Sequence, residues 1–416
     1  MTFTWPGHSM SKAKIAALIC LSGMLALHAA LFWHEKDLVR RGYSDFTIYY
    51  GAATMVRRGL GGELYNEVAQ YKIQREFAPD VPIREAALPF NHPPFEALLF
   101  VLFTYLSYVP AFVSWDLVNL AILSALPFLI RRHVPELQKY PWPLWMLASL
   151  GFFPIFFTLL QGQDSILLLL LYTLAFVCLK NKAETLAGGC LALGLFKPHL
   201  ILPFVLVWVL RGGKKMLYGF LATAAALVLV SLGIVGIRGF VSYPSYVLHL
   251  EKTMAGGAIK PSEMPNLRGM VYLLLNRHPH IDVAATVLLS CTILVVAVML
   301  CRRGESAPDL FYWKFALAMV TSSFVSYHCL GYDLCILLLP IALIGAVLSY
   351  LDTLWPQALA FILAGVAVLF FSPLQLLLIA HHAALMGWAV LLLLSGILMQ
   401  IWFREQKGIS ASATEN

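Results

Sequence analysis

The sequence predicts an all-α polytopic membrane protein, a single membrane-embedded domain spanning 1–416, with about 11–13 transmembrane or re-entrant helices. Three observations carry this. Of 416 residues, 60% are hydrophobic and only 12% are charged, against about 25% charged in soluble domains. Mean hydropathy is +0.77. Apolar runs recur from Ile15 to Trp402, too many for one anchor on a soluble enzyme. The net charge of +7 falls mostly in short clusters between those runs. That is the pattern of positive cytoplasmic loops, and no nucleic-acid partner is expected.

Taken in order, Lys12 and Lys14 precede the apolar run Ile15 to Trp33 and place the N-terminus inside. The run is longer than a signal core and lacks a cleavage site, so it reads as a retained first span. Residues 34–94 then form a first outer loop with two helical pieces, about Ser44 to Arg58 and Glu63 to Phe77, parted by Gly59, Gly61 and Gly62. Ser44 is a suitable N-cap, and Asp45 in the first turn would be favoured by the helix dipole. Asp45, Tyr49 and Ala52 share a helical face.

From Phe95 to Ile130 the apolar run is interrupted at Pro110 and ends in Arg131, Arg132 and His133. That basic cluster favours one full span plus a re-entrant piece. Pro141 to Leu160 rises to Gln161-Gly162-Gln163-Asp164, and Ser165 to Leu179 descends to Lys180 and Lys182. The next apolar stretch is broken by Lys197-Pro198-His199, predicting two half-spans; irregular backbone at that depth is tolerated where it lines a cavity. Met216 to Ile237 crosses outward, 238–282 is a second outer loop, and Val283 to Leu300 returns. Trp313 to Ser326 and Leu334 to Tyr350 make a hairpin whose outer turn carries His328, Tyr332 and Asp333. Two last spans lead to a cytoplasmic tail, 405–416. The seven cysteines lie in or beside apolar runs without metal-ligand spacing, so neither disulfides nor a zinc site is expected.

The polar outliers carry the chemistry. A charge at bilayer depth costs about 2.5–3.5 kcal/mol on insertion scales, so such groups face a cavity or a partner. In Ser44-Asp45-Phe46-Thr47-Ile48-Tyr49-Tyr50 an acid stands at the mouth of a span, and Asp45 is the candidate catalytic base. Tyr49, His92, Gln163, Asp164, Asn266 and Asp333 are candidate substrate contacts. Asp164 could instead cap the following helix, and Pro93-Pro94 suits a helix start. Lys197 either snorkels to the inner surface or holds a phosphate. Arg268 grips a phosphate through its planar fork or stands in water. His328 with Asp333 reads as a proton relay, a phosphate contact or an interfacial pair. His381-His382 fits an outer helix start, and Trp142, Trp145 and Trp355 fit interface anchors. There is no phosphate-binding loop, dinucleotide fingerprint, serine elbow or Asp-x-Asp pair, which excludes a soluble nucleotide-sugar transferase.

In this order and context the motifs match a family. Ser44-Asp45-Phe46 with Tyr49-Tyr50, Leu64-Tyr65, His92-Pro93-Pro94, Gly162-Gln163-Asp164, Ala187-Gly188 leading to Lys197-Pro198, Asn266 through Gly269, and Ser326 to His328 cover most of the chain. It resembles the polyprenyl-phosphate-sugar-dependent glycosyltransferases of the GT-C fold, specifically glycosyltransferase family 87. The chain departs from that pattern with His92 for the usual Tyr before Pro-Pro, Asp164 for a frequent Asn, and Tyr327 for a Pro after Ser326. The resemblance implies a GT-C-type bundle and an inverting transfer of a sugar, mannose in many members. The donor would be a polyprenyl phosphate and the acceptor a hydroxyl of a glycolipid or cell-envelope glycan. It further implies Asp45 as base, and Arg268, Lys197 and His328 at the donor phosphate. No metal or cofactor is required, and the site would face outward from a bacterial-type inner membrane. The alternative from the residues alone is a transporter or lipid flippase coupling through buried Lys197 and Asp116, although no repeat pairs its broken helices.

Overall fold

The structure, a computed structural model, describes residues 12–80, 86–254, 261–275, 279–304, 308–351, 354–380 and 385–414. Every regular element among them is helical. Among the described residues five helices are long and apolar enough to cross a membrane, one further pair is bent, and six apolar helices are shorter. The chain is an all-α, multi-pass membrane protein.

Helix α1 (Lys12–Arg40) leads to α2 (Phe46–Arg57) and α3 (Glu67–Gln74). The residue at the N-cap of α2 is Asp45 rather than Ser44, and no side chain caps it. The Ser44 hydroxyl instead pairs with the Tyr108 hydroxyl at 3.0 Å. The second expected helix is shorter than the sequence suggests, because Asn66 caps α3 by accepting from the Val68 and Ala69 amides.

A short helix α4 (Pro94–Tyr105) precedes the full-length α5 (Tyr108–Arg131). This agrees with one span plus a shorter piece over 95–130, although the break falls before Pro110. The expected single span at 141–160 is not straight. Helices α6 (Trp142–Leu150) and α7 (Phe153–Gln161) meet at 70°, around a tight Gly151 where a Cβ would lie 2.9 Å from the Leu147 carbonyl oxygen. Helix α8 (Ser165–Lys180) follows, then the two half-spans α9 (Glu184–Leu193) and α10 (Pro198–Leu210), as the Lys-Pro break predicts.

Helix α11 (Lys214–Met254) is two helical segments that meet at a non-helical break at Gly236 (φ 68°, ψ 175°), beside the expected end of the crossing at Ile237, and the second segment is a helix within 238–254 of the expected second outer loop. Residues 255–260 of that loop lie outside the described residues, as do His381-His382 and the last two residues of the tail. The rest is α12 (Leu267–Leu274), α13 (Pro279–Arg302), α14 (Pro308–Val325), α15 (Asp333–Leu348), α16 (Pro356–Phe370), α17 (Ser372–Ala380) and α18 (Leu385–Thr414). The expected tail is a continuation of α18 as far as Thr414.

Without a water-driven term between helices in lipid, close packing of small residues holds such a bundle together. Helices α9 and α11 show it. A Cβ on Gly188 would lie 1.9 Å from the Met216 carbonyl oxygen, and one on Gly219 would lie 1.8 Å from that of Thr185. Gly188→Val should therefore force α9 and α11 apart. It is expected to cost about 1–3 kcal/mol or more, read as a lowered melting midpoint in detergent. An unchanged midpoint contradicts this packing.

Two hydrophobic clusters result. The smaller joins α2, α4 and the start of α5 through Phe46, Tyr49, Phe100, Phe112 and Trp115. The larger takes in most of the other helices, while α3 adds Ile73 to the smaller. At one end of α14, Asp309 pairs with Arg404 at 2.9 Å, close in sequence to the Arg303–Glu405 pair at 2.5 Å. The opposite end of α14 runs into Ser326–His328 and the cavity described next.

Candidate active site

At that opposite end a cavity of about 560 Å³ is lined from both clusters. The structure places six of the predicted site residues in the wall besides Asp45: His92, Gln163, Lys197, Arg268, His328 and Asp333. Segments from 45 to 333 thus converge on one space, although their polar character alone could have meant only wet turns.

Asp45 sits partly exposed at the start of α2. Its backbone N–H donates to Gln161 Oε1 at 3.1 Å, and its Oδ2 accepts from Gln163 Nε2 at 2.7 Å. The Tyr332 hydroxyl also hydrogen-bonds to the carboxylate. Burial raises the Asp45 carboxyl above the ordinary aspartate range; the hydrogen bond from Gln163 and the charge of Lys197 pull it back only in part. A carboxylate held on two sides, partly desolvated and open to a cavity is placed as a general base needs to be.

Gln163 is aimed by the turn before it. Gly162 ends α7 in the left-handed conformation (φ 61°), and a Cβ there would sit 2.8 Å from both Phe46 and Phe112. With Nε2 given to Asp45, Gln163 Oε1 accepts from the Tyr49 hydroxyl at 2.6 Å and from Lys197 Nζ at 3.2 Å. The Gln163 carbonyl accepts from Trp115 Nε1 at 3.2 Å. Gln163 is therefore a positioning residue for the acid.

Three candidate substrate contacts are corrected. Tyr49 is fully buried, stacked on Phe100 with ring centroids 4.6 Å apart and its hydroxyl spent on Gln163. Asn266 is fully buried and caps α12, accepting from the Gly269 amide at 3.0 Å and donating to the Ser326 carbonyl at 2.7 Å. Asp164 is buried behind the wall, ion-paired with Lys197 at 3.0 Å. It occupies the N-cap of α8 without making a side-chain cap, so the capping alternative does not hold either.

Lys197 is corrected too. Its Nζ meets Asp333 Oδ1 at 2.6 Å, Ser165 Oγ at 2.6 Å, Asp164 Oδ1 at 3.0 Å and Gln163 Oε1 at 3.2 Å. An ammonium has three N–H groups, so four acceptors leave none for a phosphate, and the side chain is too buried to snorkel. Asp333 is held by this lysine, by the Ser165 hydroxyl at 3.0 Å and by the Leu330 amide at 2.9 Å. It does not pair with His328 as the relay reading supposed; the His328 ring lies 5.7 Å from that of His199.

Arg268 remains at the cavity wall, its guanidinium 4.0 Å from the Tyr327 ring centre and donating to the Tyr327 carbonyl at 3.2 Å. His92 also faces the cavity, its Nδ1 2.9 Å from Glu96 Oε2. Burial lowers His92 to about 4, so its imidazole is neutral at pH 7. Sequence reasoning missed three groups here: Glu96, which follows His92 at the spacing of one helical turn, Gln161 on the Asp45 amide, and Tyr332 as a direct partner of Asp45.

The family model described as Glycosyltransferase family 87 matches residues 90–326, more than half of the chain. The chain belongs to glycosyltransferase family 87. No curated protein and no solved structure matches it. As a family 87 member it is a membrane glycosyltransferase, acting on a sugar donor and an acceptor. The match takes in His92, Gln163, Lys197 and Arg268 and begins downstream of Asp45. The assignment of that acid as base therefore rests on geometry.

Proposed function

We propose that the chain is an inverting glycosyltransferase. It moves a sugar, mannose in this reading, from a polyprenyl-phosphate donor to a hydroxyl of a glycolipid or cell-envelope glycan. The observation that carries the proposal is Asp45: an acid of raised proton affinity at the wall of a cavity inside an apolar bundle. Its carboxylate takes the acceptor hydroxyl proton. The freed oxygen attacks the anomeric carbon from the face opposite the phosphate, and polyprenyl phosphate leaves with the C–O electron pair. Arg268 and His328, at the wall away from the Lys197 network, are the groups suited to the phosphate charge. The displacement itself needs no cofactor. Val247 and Leu248 of α11 give the cavity an apolar side that a prenyl chain can follow. Loops rich in lysine and arginine stay cytoplasmic, which puts the Arg303, Arg404 end inside and the cavity on the outer face.

The test is donor dependence. Purified protein is expected to transfer sugar from polyprenyl-phosphate mannose, and to give none from a nucleotide sugar without lipid carrier. Transfer from the nucleotide sugar alone overturns the donor assignment. The pH profile follows from the same acid, faced by Gln163, Lys197, Tyr332 and Asp333. Only the ionised carboxylate accepts a proton, so the rate falls as pH drops through the Asp45 pKa. Burial raises that pKa, so the acid limb of kcat should lie above the ~3.9 of a free aspartate. An acid limb at or below that value contradicts it.

A further inference from the structure

At and behind the cavity wall, three side chains that the transfer step does not use point at one another. His92, Glu96 and Asp164 each present a ligand atom, and these atoms lie within 4.8 Å of one another. Glu96 and Asp164 are both 0% exposed. Outside the cluster Glu96 meets no partner among the described residues, its Oε2 facing only His92 Nδ1 at 2.9 Å, and Asp164 meets only the Lys197 ammonium on Oδ1, so Glu96 Oε1 and Asp164 Oδ2 are left unsatisfied. Buried carboxylate oxygens are ordinarily hydrogen-bonded or paired, because desolvating them otherwise costs several kcal/mol. Here two buried acids and an imidazole nitrogen converge on one another.

The charge balance points the same way. Asp45, Glu96, Asp164 and Asp333 stand together with the Lys197 ammonium, which is already shared between Asp164 and Asp333. We propose that His92, Glu96 and Asp164 form a binding site for one divalent metal ion. One imidazole nitrogen with two carboxylates is a mixed set suited to Mn²⁺ or Zn²⁺ rather than to Ca²⁺, which takes oxygen ligands only. Ligand atoms within 4.8 Å of one another need only a small side-chain adjustment to close on a single ion with bonds of about 2.0–2.2 Å. His92 lines the cavity, so the ion has access from that side. The first turn of α4 fixes the pair: Pro93-Pro94 starts the helix, and Glu96 follows His92 by four residues. The ion neutralises the acids next to Gln163 and so sets the field around Asp45, while the proton transfer remains with Asp45. The site stands apart from the donor assignment and would exist whichever sugar carrier is used.

The experiment uses the full chain, purified in detergent and stripped with a chelator. Manganese chloride is titrated in, with free Mn²⁺ followed by electron paramagnetic resonance and bound metal measured after desalting. One Mn²⁺ per chain is expected, with a rise in melting temperature. Glu96→Gln, nearly the same shape, should weaken binding by roughly tenfold or more and abolish the temperature rise, while Asp45→Asn keeps both. Absence of stoichiometric metal on the wild type overturns the site, as does equal binding by Glu96→Gln.

Discussion

Asp45→Asn is expected to cut sugar transfer by orders of magnitude while leaving the protein at its normal level in the membrane. The amide is isosteric and keeps the packing of α2, but it has no basicity. Its oxygen can still accept from Gln163 Nε2, now 2.7 Å from Oδ2. General-base catalysis contributes about 10²–10⁴-fold, and a loss of that size in kcat is expected, with little change in the KM for the donor. Asp45→Glu, which restores the base at a shifted position, should recover part of the rate. Retention of full activity by Asp45→Asn would remove the acid from the mechanism.

The second large effect is on folding. Lys197→Met should collapse the protein level, because it strands Asp164 and Asp333 as uncompensated buried charges. Removing one partner of a buried pair typically costs about 3–5 kcal/mol. Removing all three charges need not. Lys197→Met combined with Asp164→Asn and Asp333→Asn is expected to return a folded, detergent-stable protein that remains inactive. A stable single variant, or a triple variant no better than the single, would show that the ion pairs at 3.0 and 2.6 Å do not hold the site together.

Much of the architecture is legible along the chain. Long apolar runs give the spans, and a lysine before proline inside such a run marks the break between α9 and α10. Gln161-Gly162-Gln163-Asp164 announces a turn, since Gly162 takes the left-handed conformation that other residues avoid. The helix beyond the Gly236 break is hidden by its polar residues. Tyr243, Tyr246 and Leu250 nonetheless fall at helical spacing and are its more protected positions.

The site was legible in its members more than in their roles. Sequence order brings polar residues to one end of the bundle but does not say which pairs with which. Lys197 meets Asp333 across 136 positions, and Ser165 meets the same carboxylate across 168. No local spacing encodes such pairings. Tyr49 looked like a substrate contact because it shares a face with Asp45. Phe100 and Gln163 cover that face from elsewhere in the chain.

The account turns on Asp45 acting as a base and not as a nucleophile. Stereochemistry separates the two roles, because a base gives one displacement and a covalent sugar–carboxylate intermediate gives two. The deciding measurement is the anomeric configuration of the first-formed product, read by proton NMR after transfer from a polyprenyl-phosphate sugar of known configuration. Inversion is predicted. Retention would contradict it.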